Sequence, residues 1–297
     1  MTFEMVLWTV LVPFGVAAGV IGAFWWRAGR EWGSFRRAAP TVAMVGALLV
    51  GMRALMGNPE WKPALAEGWL FHLAVLAGVA GLTLPKSRGI LSAVLPMVGL
   101  AGFVLVVQLG RAATNGDMGS GATRLLWSLA VLASMVIPGV LLSRADRAGG
   151  TLGVVLAMGI AVGAAAGSIV LCNGIKLAQI EGLMGLALVP LAVVSWRGAG
   201  PGVSGVSMVF ATMHGSLWWL TYYYQGDMPI LALALNIAGP AGAALLPMVF
   251  TSIRKRPVVL TFAQAGMALA FAAASVGSVL ASRAHDDAAG TDPYAGY

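Results

Sequence analysis

Ten apolar stretches, each close to the length of a bilayer crossing and joined by short polar loops, dominate this chain. They run Met5–Trp26, Pro40–Met56, Ala64–Leu84, Gly89–Gly110, Ala122–Leu142, Thr151–Leu171, Leu177–Trp196, Gly202–Tyr224, Met228–Ile253 and Pro257–Ala281. A hydrocarbon core takes roughly 20 residues of helix. The backbone finds no water there, and a helix satisfies its own N–H and C=O groups. The pattern therefore predicts an all-α, polytopic transmembrane helical bundle of about ten spans. The second stretch is the shortest and holds Arg53; the sixth and seventh are separated only by Asn173 to Lys176. Residues 1–282 are expected to form one transmembrane domain, and residues 283–297, with Asp286, Asp287 and Asp292, a polar disordered tail.

Charge supports the same class. Only 10% of residues are charged and 59% are hydrophobic, whereas soluble domains carry about 25% charged residues. The formal net charge of +7 would suggest nucleic acid in a soluble chain. Here the basic residues sit in short loops between apolar runs, where they report topology instead. The lipid bilayer is the expected partner, and nucleic acid is not. Met5–Trp26 is as long as a full span and lacks a basic n-region, so it is expected to be retained as the first helix.

Lysine and arginine alternate by loop. Arg27, Arg30, Arg36, Arg37, Lys86, Arg88, Arg144, Arg147, Arg197, Arg254, Lys255 and Arg256 fall on one side; Lys62, Arg111, Arg124, Lys176 and Arg283 fall on the other. The positive-inside rule then puts both termini on the non-cytoplasmic side of a cell membrane. Trp25, Trp26 and Trp196 fall at expected inner ends, and Trp8, Trp61, Trp69, Trp127, Trp218 and Trp219 toward outer ends, where amphipathic rings favour the headgroup depth. Length and span count resemble the drug/metabolite-type permeases. Those keep both termini in the cytoplasm, and this charge pattern says the opposite, so nothing is carried over.

Soluble-enzyme motifs find no support. Gly200-Pro201-Gly202-Val203-Ser204-Gly205 spells G-x-G-x-x-G, but it follows a membrane span and not a strand, so it is a turn entering span eight. The single cysteine, Cys172, precludes an internal disulfide. No H-E-x-x-H, C-x-x-C or G-x-S-x-G occurs, so no catalytic residues or metal ligands are assigned.

Polar side chains inside spans are costly and are functional hypotheses by default. Glu67, His72, His214 and Asn236 are expected to line one water-accessible site in the outer half, with Glu181 and Arg53 at its rim. His72 and His214 fall at similar depths and are expected to approach each other. The bland alternative is that each polar group is satisfied singly inside a packed bundle. Gly239-Pro240 in span nine predicts a kink or break, because proline leaves a carbonyl one turn earlier without its donor. Gly159, Gly163 and Gly167 in span six form a tandem small-residue groove for helix packing, within the chain, in a homo-oligomer or in a larger complex. Leucine at Gly163 should therefore disturb folding more than leucine at Gly153. The leading functional expectation is a small-molecule transporter or permease. The rival is a non-transporting membrane subunit that scaffolds a complex. No cofactor is assigned; haem on the two histidines, or quinone, belongs to that rival.

Overall fold

The computed structural model describes residues 3–27, 35–83, 91–147, 150–197, 202–225 and 228–288. Among them every regular element is helical. The ten long elements, here α1 to α10, are Val12–Arg27, Phe35–Met56, Leu70–Thr83, Leu91–Phe103, Gly121–Arg147, Thr151–Leu171, Ile175–Trp196, Ser204–Gln225, Ile230–Val249 and Pro257–Ala288. A π turn, Leu7–Leu11, precedes α1, and another, Val104–Gln108, extends α4. A 3-10 turn, Ala66–Trp69, precedes α3. Among the described residues nine spans are long and apolar enough to cross a membrane, which makes the chain a multi-pass bundle. The tenth, α8, is long enough but is not among those nine.

The reason lies in where α8 sits. Every residue from Gly205 to Thr221 is buried. It packs chiefly on α5, α3 and α2, and also touches α4, α6, α7 and α9. A helix walled by protein has no need of a uniformly apolar surface, and α8 carries Ser207, Thr212, His214, Ser216 and Thr221. By contrast the outer helices expose Leu91, Leu95, Leu125, Leu126 and Phe262, as a lipid-facing surface requires. Trp218 and Trp219 depart from the interfacial belt for the same reason: both are buried on α8, and the Trp219 indole donates to Ser134 Oγ at 2.8 Å.

Glycine sets the tightest crossing. A Cβ on Gly81 of α3 would lie 2.7 Å from the carbonyl oxygen of Gly205 on α8, and one on Gly205 would collide with Thr41 Oγ1 of α2. Gly205 closes the G-x-G-x-x-G string, so its role is backbone contact between helices; Gly200 and Pro201 lie outside the described residues. The α6–α7 reversal is a Schellman turn. Asn173 takes φ 62°, Gly174 N–H donates to Ile169 C=O at 2.9 Å and Asn173 N–H to Val170 C=O at 3.0 Å. Asparagine tolerates this left-handed geometry, which is how two spans fit around so short a link.

Three expectations are corrected. The glycines of α6 do not pack against the described residues: a Cβ at Gly159, Gly163 or Gly167 would meet none of their heavy atoms within 4 Å. The buried stripe is Ala157, Ala161 and Ala165, on another face of the same helix. The close approach on α6 is at Gly153, where a Cβ would collide with Gln264 Oε1 of α10. Second, α9 is not broken at Gly239-Pro240. The helix runs on to Val249, and Gly239 admits Phe271 of α10, whose Cβ is 3.1 Å from a modest added methyl. Third, α10 does not end at Ser282 but continues to Ala288; residues 289–297 lie outside the described residues.

Candidate functional site

The six expected site residues do not converge on one site: four environments take five of them, and Arg53 lines two cavities. Glu67, at the 3-10 turn before α3, accepts from Lys176 Nζ at 2.7 Å, tying that turn to the first residues of α7. Both groups are partly exposed, so the pair is a surface tie of modest value. His72 lies on the flank of α3 with its ring 5.1 Å from Trp69 and 6.3 Å from Trp61. Asn236, buried on α9, belongs to the α6 backbone: its amide donates to Ala161 C=O at 3.2 Å and accepts from Ala165 N–H at 3.0 Å, an orientation assigned from those partners. Asn236 is thus satisfied where two alanines let α9 approach.

The fourth environment is the centre. Glu181 on α7 and His214 on α8 meet through Oε1 and Nδ1 at 2.5 Å. Their side chains are 0% and 3% exposed. The imidazole stacks on Phe210 at 4.8 Å and meets Trp218 edge-on at 6.3 Å. Glu181, expected at a rim, is therefore in the core, and it joins His214, not His72. The second carboxylate oxygen, Oε2, and the second imidazole nitrogen, Nε2, are buried without a partner among the described residues.

Arg53 is exposed on α2 and lines two cavities. One, of about 590 Å³, has walls that include Leu49, Val75, Leu76, Phe103 and His72. The other, of about 920 Å³, lies between α1, α2 and α7 and receives Glu4, Trp8, Thr9, Arg53 and Gln179. Trp8 and Thr9 belong to the π turn Leu7–Leu11. Such turns widen a helix locally and recur at functional sites. Among the described residues no ion pair joins Glu4 to Arg53, so the cavity presents both signs of charge.

Sequence reasoning missed Glu4, Thr9 and Gln179, which carry no motif. It also missed Asp146. That carboxylate is buried at the end of α5, accepts from Val203 N–H at 2.9 Å ahead of α8 and from Thr151 Oγ1 at 2.8 Å on α6. An anion at a helix N-terminus meets the positive end of the helix dipole. Asp146 thereby pins three helices at one end of the bundle. The signal available was its position just ahead of a glycine-rich helix start.

No known protein family, curated protein or solved structure matches this chain.

Proposed function

We propose that the chain is a small-molecule permease whose solute site is the cavity between α1, α2 and α7. The observation that carries this reading is the convergence of two opposite charges and two neutral polar groups on one cavity otherwise walled by Trp8, Val12, Val50, Ala54 and Leu55. Glu4, Thr9, Arg53 and Gln179 converge on about 920 Å³, within the size range of small-molecule sites. Polar groups at membrane depth persist where they line a cavity or a pathway. Opposite charges that form no ion pair among the described residues face one cavity, and they complement a zwitterionic solute of the amino-acid class. The arginine distribution supports an orientation in which this cavity opens on the non-cytoplasmic side.

The test is uptake into vesicles containing the purified protein, with labelled amino acids, neutral sugars and organic acids offered separately. Saturable uptake of zwitterions is expected, and both Arg53→Ala and Glu4→Gln should raise the half-saturating concentration. Uptake no greater than in protein-free vesicles for every class would return the chain to the scaffold reading. Unchanged uptake in both variants would leave a permease but remove this cavity as its site.

A further inference from the structure

We propose that Glu181 and His214 are the proton-binding centre of the bundle and couple solute movement to a proton gradient. This rests on the permease reading but on a different observation: the chemistry of two spare atoms. The solute cavity lies on one face of α7, at Gln179. Glu181 is two residues further, about 200° around the helix, and faces α8. One helix thus carries a solute-facing group and a proton-handling group on opposite sides.

The proton count is simple. With one proton, the imidazole N–H at Nδ1 donates to the carboxylate, Nε2 is bare, and the pair carries one negative charge. A second proton, on the carboxyl at Oε2, makes the pair electrically neutral without breaking the Oε1–Nδ1 contact. Both spare atoms are buried and unpartnered among the described residues. The anionic state leaves a net charge in an apolar interior, which costs several kcal/mol unless water or another group meets it. The neutral state leaves only one O–H without an acceptor, a far smaller penalty. On this proposal the closed bundle holds the pair loaded, and unloading needs a conformation that admits water to Nε2 and Oε2. A difference in proton affinity between two conformations is what coupling requires.

Among the described residues His214 is the one ion-pair partner of Glu181. Neither α6 nor α9 carries a charged residue. Charged and titratable groups on the other surrounding helices sit toward their ends or outer flanks. Arg53 and His72 line the cavities; Lys176 is paired with Glu67; Arg124, Arg144 and Arg197 are at helix ends; Asp146 is engaged with Val203 and Thr151. Thr212 on α8 contacts Met97 Sδ.

Two measurements separate this proposal from the permease reading. Infrared difference spectra of the wild-type protein in vesicles, taken across a pH step, should show a carboxyl C=O band that shifts in D2O and vanishes in Glu181→Gln. No such band in the wild type, or an unaltered band in Glu181→Gln, overturns the proton site and leaves the permease intact. The second measurement compares gradient-driven accumulation with solute exchange at equal pH on both sides. Glu181→Gln, and independently His214→Asn, should lose accumulation to the protein-free level yet keep exchange. Exchange and accumulation lost together in both variants, with folded protein recovered, would overturn coupling. Absence of both modes in the wild type would instead defeat the permease reading.

Discussion

At the residue scale the sharpest consequence concerns glycine. Gly153 faces the Gln264 side chain, whose amide occupies the volume that a side chain there would need, whereas Gly163 faces out of the bundle with open space around it among the described residues. Gly153→Leu should lower the unfolding temperature in detergent severely or abolish folding, since overpacking a tight contact costs about 1–3 kcal/mol or more. Gly163→Leu should be close to neutral. Equal loss at both positions would mean that the outward glycine face is covered by something outside this chain. Sequence alone favoured the reverse order, because glycine repeats show that a helix has a smooth face and not which neighbour uses it. The sites behaved likewise. Depth was readable for His214 and Glu181, since count along a helix gives height. Their pairing was not, because it depends on rotation about two axes and on α7 lying against α8.

At the element scale, α9 shows how proline is tolerated at membrane depth. Pro247 removes the N–H that would have met Ala243 C=O, and Gln264 Nε2 of α10 donates to that same oxygen at 3.2 Å. The side chain completes the ladder of a neighbouring helix, the kind of repair that allows proline in membrane helices. Gln264→Leu should cost about 1 kcal/mol. In a Pro247→Ala background, where the backbone supplies its own donor, that cost should shrink toward zero. Additive losses in the double-variant cycle would show that Gln264 acts elsewhere. The proline seventeen positions earlier in the chain explains why a glutamine is buried on α10. Span boundaries were legible to within a few residues because hydropathy marks them directly. The length of α10 was not, since its polar last turns carry no span signal.

At the scale of the whole molecule, the bundle is organised around a buried helix that falls outside the nine apolar spans. α8 is walled by α2, α3 and α5, touched by four further helices, and crosses α3 with glycine against glycine. This has a consequence for how the protein is made. A chain enters the bilayer segment by segment, and a segment that is not sufficiently apolar does not partition into lipid alone. α8 emerges after all of its partners except α9, and it is the segment those partners must receive. Its membrane integration is then an assembly step, in which a cleft formed by the earlier helices takes the place of hydrocarbon as solvent. Placed by itself in a host protein with glycosylation acceptor sites on both flanks, the segment Ser204–Gln225 should pass through the translocation channel in most molecules and be modified on both sides. Within the chain from Met1 onward it should stop and be modified on one side or neither. Efficient stopping in isolation would show that α8 needs no receiving cleft. The polar residues that equip this helix for work at the centre would, on this account, also make it the last of its neighbourhood to become a membrane helix at all.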